Sequence, residues 1–326
     1  MTGSDLDSAS ASADLPLAVG PTIRTSGGFS GLEFMFTASL IAADALNEAS
    51  VSALAEELGA AQAELLDRRW LEPGTACDLH FAGDPSAVRT ALEGAIPGID
   101  VIVQKTSERR RRLIVADMDS TMITIECIDE LADYAGIKPQ IAAVTERAMR
   151  GELDFEDALK SRVALLKGLP EAVIEQCLAE RVKIMPGARA LVRTMRAHGG
   201  LAVLVSGGFT RFAEPVGVQI GFDRVVANRL GISDGHLDGT VEGPIVGAAT
   251  KRETLLSALA ERGWSQGDAL AVGDGANDIP MIEAAGLGVA YHAKPRTRAA
   301  ASAGITNGDL TTILYAMGYP RAEWVA

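Results

Sequence analysis

Two carboxylates, Asp117 and Asp119, stand at the end of the apolar run Leu113-Ile114-Val115-Ala116. A short continuous apolar run of this kind reads as a strand buried on both faces, and such strands belong to parallel sheets. The acids therefore fall where a buried strand meets a loop, the edge at which open α/β folds bind ligands. Acids this close are costly to bury unless a cation or a shared proton relieves them. The segment Asp117-Met118-Asp119-Ser120-Thr121 thus points to divalent-metal binding combined with an aspartyl nucleophile, the elements of phosphoryl transfer.

The rest of the chain divides around that strand. The first thirty residues are rich in Ser, Ala, Gly and Thr and lack a basic start followed by an apolar core, so a flexible tail is expected over 1–30 rather than a signal peptide. Between 31 and 106 the order strand, helix, strand, strand, helix, strand is expected. The strands are Phe36–Ala43, Ala63–Arg69, Ala76–Phe81 and Asp100–Gln104, and the helices Val51–Leu58 and Pro85–Ala95, the latter capped by Asp84. That order suits an α+β ferredoxin-like sandwich. The basic run Arg109–Arg112 reads as a solvated linker.

After Thr121 four amphipathic helices follow, Glu126–Ala135, Pro139–Met149, Phe155–Leu166 and Pro170–Glu180, with turns at Gly136, Gly151 and Gly168. Strands and helices then alternate: helix Gly187–His198, strand Leu201–Val205, helix Lys251–Arg262, strand Ala269–Val272, helix Ile279–Ala284 and strand Gly288–Ala290. Alternation of this kind indicates a doubly wound parallel sheet. The catalytic core is expected over 107–125 and 184–326, with 126–183 as a helical cap inserted over the carboxyl edge of the sheet, a candidate lid.

Composition narrows the partners. With 30 basic and 43 acidic residues the chain carries a net charge of −13, which argues against nucleic acid or an anionic membrane surface. No apolar run approaches bilayer-spanning length. Cys77, Cys127 and Cys177 are widely separated and read as reduced thiols of a cytoplasmic protein. His80, His198, His236 and His292 show no metal-ligand spacing.

Three further stretches end or follow the core strands: Ser206-Gly207-Gly208, Lys251, and Gly273-Asp274-Gly275-Ala276-Asn277-Asp278. Singly, each has a plain structural explanation as a tight turn, a surface lysine or a polar loop. A hydroxyl and exposed N–H groups at a helix start can also cradle an anion, and a carboxylate-rich loop can hold a hard cation. Taken in this order with Asp117 and Asp119, they strongly resemble the haloacid dehalogenase superfamily of phosphotransferases over residues 113 to 300. The resemblance implies a Rossmann-like core. It makes Asp117 the nucleophile and Asp119 the acid/base, with Ser206, Gly207, Lys251 and Asn277 on the phosphate. Asp274 and Asp278 join Asp117 and the Asp119 backbone carbonyl around Mg²⁺.

The inserted segment adds a substrate class. Glu126-Cys127-Ile128-Asp129-Glu130, the stretch Met149 to Phe155 and Ser161-Arg162-Val163 resemble the cap of the phosphoserine phosphatase family. Carried over, Glu126 pairs with a substrate ammonium, Arg162 with its carboxylate, and Met149 and Phe155 form an apolar wall. The implied activity is hydrolysis of O-phospho-L-serine through an aspartyl-phosphate, the last step of serine biosynthesis. A related phosphomonoesterase or phosphotransferase is the first rival, and an amino-acid sensor with a vestigial catalytic domain the second. The N-terminal module resembles ACT-type regulatory modules, which implies amino-acid binding or homodimerisation.

Overall fold

Alternation of side chains along four strands builds the first sheet of the computed structural model, which describes residues 35–326; the tail expected over 1–30 lies outside them. The elements are β1 (Met35–Ala42), α1 (Glu48–Ala60), β2 (Glu64–Glu72), β3 (Ala76–Ala82), α2 (Pro85–Leu92) and β4 (Ile99–Lys105), in the sheet order β2-β3-β1-β4. β1 is antiparallel to both its neighbours, as the ferredoxin-like reading requires. Asn47 and Asp84 cap the two helices by accepting the Ser50 and Ser86 N–H groups at 2.8 and 2.9 Å. One face of the sheet is apolar: Ala38, Leu40, Leu79, Phe81 and Val101 pack on Val51, Leu54 and Leu58 of α1 and Val88 and Leu92 of α2.

The opposite face carries Thr37, Ser39, Asp78, Asp100 and Gln104, and it is buried too. Buried polar groups need partners, and the rest of the chain beyond β4 supplies most of them. Arg109 grips Asp78 with two nitrogens at 2.8 and 3.1 Å while also donating to the carbonyls of Tyr315 and Ala316. Gln104 reaches the Ala316 carbonyl at 2.7 Å and accepts from Arg111 at 3.1 Å. Asp100 accepts the N–H groups of Thr306, Asn307 and Gly308. The solvated-linker reading of Arg109–Arg112 is therefore wrong for Arg109 and Arg111, which are the clamp of this junction. Residues 35–326 belong to one compact unit.

The core follows as β5 (Leu113–Ala116), α3 (Cys127–Tyr134), α4 (Lys138–Met149), α5 (Phe155–Leu165), α6 (Ala172–Glu180), α7 (Ala188–Ala197), β6 (Leu201–Phe209), α8 (Thr210–Ile220), β7 (Arg224–Ser233) and β8 (His236–Glu242). Then come α9 (Ala248–Arg262), β9 (Ala269–Gly273), α10 (Ile279–Ala284), β10 (Leu287–Tyr291), α11 (Pro295–Ala300), β11 (Ala303–Ile305) and α12 (Thr311–Ala316). The seven strands lie in the order β11-β10-β9-β5-β6-β7-β8. All neighbours are parallel except β7 and β8, which form an antiparallel hairpin absent from the sequence reading. From β5 the chain winds one way through β6 and the other way through β9, so the carboxyl end of β5 is the point where the strand order reverses. Crevices open there in such sheets.

Helices α3 to α6 form the inserted cap. Its two connections run side by side, joined by the Thr124 N–H to the Lys183 carbonyl at 3.0 Å and the Met185 N–H to the Met122 carbonyl at 2.9 Å. The β7–β8 hairpin ties the cap a second time. Gly168 donates to the Leu237 carbonyl at 2.8 Å, and Leu237 to the Leu169 carbonyl at 2.9 Å. All three cysteines are buried and free, and among the described residues no helix is long and apolar enough to cross a membrane.

Candidate active site

The β5 ladder runs on through Asp117, whose N–H meets the Val272 carbonyl at 3.0 Å. The chain then turns sharply. Ser120 sits at φ 54°, a left-handed conformation unusual for a residue with a side chain, and its hydroxyl donates to Glu126 at 2.6 Å. The turn comes directly after Asp119, while Asp117 just past β5 keeps its backbone bond to Val272. Asp117 is buried, and its Oδ1 accepts the Met118 N–H at 2.8 Å.

Lys251 supplies the counter-charge. It lies in the first turn of α9 rather than at its first residue, and its side chain is fully buried. Its Nζ is 2.7 Å from Asp117 Oδ1 and 2.6 Å from Asp278 Oδ1. The other oxygen of Asp278 accepts the Gly275 N–H at 3.0 Å, which closes the Gly273–Asp278 loop. Burial alone would lower the Lys251 ammonium, but the Asp117 and Asp278 carboxylates overcome it and hold the lysine charged. Burial and Asp278 in turn push the Asp117 carboxyl well above the usual carboxylate range, against the pull of Lys251.

Asp274 completes the acidic cluster. Thr121 donates to it at 3.2 Å, and oxygens of Asp117, Asp274 and Asp278 lie within 4.8 Å of one another. Burial, Asp278 and Glu126 raise the Asp274 carboxyl to about 6. Three carboxylates sharing one buried ammonium leave excess negative charge, and an all-oxygen donor set suits a hard divalent cation. These residues fit such an ion. The Asp119 side chain is not among the gathered oxygens, so only its backbone carbonyl is available for the ligand role expected of it.

Asp119 occupies different ground. Burial and the Glu126 carboxylate raise it to about 7, and its Oδ1 has only a long contact, 3.4 Å, from the Cys127 N–H. Its Oδ2 lies over Gly208, where an added Cβ would stand 3.0 Å from that oxygen and 3.1 Å from Ser206 Oγ. Gly208 is thus a site residue for a steric reason, one that the sequence marks only as a second glycine. Ser206 and Gly207 do not follow a strand, as expected, but lie within β6 as a bulge in its pairing with β7.

Of the cap residues, Phe155 lies across two glycines of the core. An added Cβ on Gly207 would meet its ring at 3.2 Å and one on Gly247 at 3.3 Å. Arg162 makes no ion pair among the described residues, and its one side-chain hydrogen bond is to the Ala158 carbonyl at 3.3 Å. Burial lowers its pKa, while Asp129, Glu126 and Asp119 act on it as the neighbouring acids. Glu126 precedes α3 and keeps one carboxylate oxygen beyond the Ser120 contact. Asn277 lies within the Gly275–Asp278 turn, and the Met149 side chain lies outside the described residues.

The family model for haloacid dehalogenase-like hydrolases matches residues 114–283. A phosphoserine phosphatase of Streptomyces coelicolor is 44% identical over 256 residues, 77% of this chain and 62% of that protein. One from a Polaromonas species is 46% identical over 208 residues, 62% of this chain and 88% of its own length. The structure of a family hydrolase from Salmonella enterica serovar Typhi superposes with a TM-score of 0.77 at 29% identity, covering 87% of this chain and 98% of that one. The chain spans less than two thirds of the Streptomyces protein, yet Asp117, Ser206 and Asp274 all fall inside the residues that the family model matches. On the family match and the Polaromonas relative together, the chain belongs to the haloacid dehalogenase-like hydrolases, among the relatives that carry the phosphoserine phosphatase name.

Proposed function

We propose that the chain is a phosphoserine phosphatase that hydrolyses O-phospho-L-serine to L-serine and inorganic phosphate, with Mg²⁺ as its cation. The observation that carries the reading is the division between two acids two residues apart. Asp117 is buried and ion-paired to Lys251, whereas Asp119 has no cationic partner among the described residues and accepts a hydrogen bond only from Cys127, with a carboxyl raised to about 7. A nucleophile needs the first environment and a proton carrier the second.

In the first step an Asp117 oxygen attacks phosphorus, the bond from phosphorus to the serine oxygen breaks, and Asp119 gives its proton to the leaving alkoxide. In the second, ionised Asp119 takes a proton from water as the water oxygen attacks the aspartyl-phosphate, releasing phosphate and restoring Asp117. Lys251 and Ser206 hold phosphoryl oxygens, and positioning of this kind accounts for much of the rate in phosphoryl transfer. Asp117, Asp274, Asp278 and the Asp119 carbonyl are the groups that would hold Mg²⁺, which when bound neutralises charge on the phosphoryl oxygens. Glu126 and Arg162, one anion and one planar cation without an ion-pair partner among the described residues, suit the ammonium and carboxylate of a zwitterionic substrate. The buried free thiols agree with a cytoplasmic enzyme of serine biosynthesis.

Phosphate release from O-phospho-L-serine with and without added Mg²⁺, repeated for Asp117→Asn, tests the proposal. Release that depends on the cation and vanishes in the variant is expected. Undiminished turnover by Asp117→Asn would end the mechanism, and activity confined to other phosphomonoesters would end the substrate assignment.

A further inference from the structure

Strands β6 and β7 advance in step as far as the pair Val205 and Val226, but the next pair is Phe209 and Asn228. Ser206, Gly207 and Gly208 therefore span on β6 what Ala227 alone spans on β7. Two surplus residues push the phosphate-holding segment out of the ladder, as bulges do beside active sites. Asn228 stands at the end of that gap, 1% exposed.

Its amide is used at both ends. Nδ2 donates to the Gly207 carbonyl at 2.8 Å and, at greater length, to the Val246 carbonyl at 3.4 Å. Oδ1 accepts the Val246 N–H at 2.7 Å. The peptide joining Gly207 to Gly208 is held at its other end as well, because the Gly208 N–H donates to Ser206 Oγ at 2.9 Å. With one lone pair of that oxygen engaged, the hydroxyl hydrogen is left to donate into the site. On the second arm, Val246 leads into Gly247, whose carbonyl accepts the Lys251 N–H at 3.0 Å in the first turn of α9.

We propose that Asn228 is a positioning residue that yokes the Ser206 hydroxyl to the helix start carrying Lys251, so that the two phosphoryl-holding groups are set by one buried amide. The inference rests on the reading of this crevice as a phosphoryl site. Asn228 touches neither substrate nor cation; it acts through Gly207 and Val246.

Two full-length variants test it, Asn228→Ala and Asn228→Asp, each checked for folding by circular dichroism. Inhibition by inorganic phosphate and kcat/KM for O-phospho-L-serine are measured across pH. Asn228→Ala is expected to weaken phosphate inhibition by about tenfold, the scale of one lost buried hydrogen bond, and to lower kcat/KM at least as much. Asn228→Asp keeps the acceptor for Val246, but its ionised form cannot donate to Gly207. Protonation returns a donor, so its kcat/KM relative to the parent rises as pH falls, while the ratio for Asn228→Ala stays flat. The isosteric variant also carries the test if the alanine protein does not fold. Unchanged phosphate inhibition in a folded variant, or equal and flat ratios for both, would overturn the proposal and leave Asn228 as packing. A parent protein that releases no phosphate from phosphoserine would instead sink the underlying reading.

Discussion

At the residue scale, the site stores negative charge that a cation must relieve, and this can be measured without turnover. The Asp274 carboxyl is raised to about 6 by burial, Asp278 and Glu126. An acid raised on folding favours the native state below its unfolded pKa and loses that advantage as pH climbs through the folded value. In the presence of a chelator, Asp274→Asn should therefore match the parent in melting temperature near pH 4 and exceed it above about pH 6. With Mg²⁺ added the order should reverse, because the parent alone keeps the full cation site. Equal melting curves throughout would show that Asp274 carries no stored penalty. Gly208→Ala makes a steric counterpart. Its Cβ would press on Asp119 Oδ2 at 3.0 Å and on Met118 and Ser206 at 3.1 Å. Those neighbours must give by a few tenths of an ångström, short of the full ångström of misplacement that costs about 10²-fold in rate, so kcat should fall by about tenfold while melting changes little. A variant of normal kcat would mean that Asp119 can be moved without consequence.

At the scale of elements, the cap is more firmly seated than an insertion joined by two linkers would be. Its underside is tied to β8 through Gly168, Leu169 and Leu237, and Phe155 rests on the glycines at 207 and 247. Gly247→Val puts branched carbon where only 3.3 Å separates an added Cβ from the Phe155 ring. It should raise KM for phosphoserine several-fold through a cap that no longer closes, and a steady KM would show that Phe155 yields freely. Arg162→Ala should reduce kcat/KM for phosphoserine by about 10²-fold, a charged pair's worth, yet leave an aryl phosphate almost untouched. Equal losses on both would remove the carboxylate contact. Much of this architecture is legible in sequence, because a buried parallel strand announces itself as an unbroken apolar run and its carboxyl end is then countable to the residue. Asp117 and Asp274 are legible in that way. The β7–β8 hairpin is not, since Arg224–Ser233 mixes exposed, half-buried and buried positions and matches neither an alternating nor a continuous apolar template. The bulge at Ser206 was hidden for a related reason: Gly-Gly reads as a turn, and only the partner strand reveals that pairing resumes at Phe209. Arg109 and Arg111 misled because a charge run says nothing about which polar sheet face waits to receive it.

For the molecule as a whole, the N-terminal module and the seven-stranded core form one compact unit. Its polar sheet face is dry, and Asp78 has 1% exposure beneath the Arg109 fork. Arg109→Ala would leave that carboxylate buried without its partner, a loss of about 3–5 kcal/mol for ion pairs of this kind. Urea unfolding should show a drop of that size in a single transition, whereas an independent module would lose its own transition and leave the core's in place. Asp100 and the loop of Thr306 to Gly308, more than two hundred positions further along the chain, give this junction a direction in time. A ribosome releases the acceptors long before it has made the donors, so the earlier-made sandwich must wait with one wet, hydrogen-bonding surface until the stretch around Thr306 arrives to dry it. A stop codon just before Thr306 would accordingly be felt more than two hundred positions upstream, in the sandwich itself.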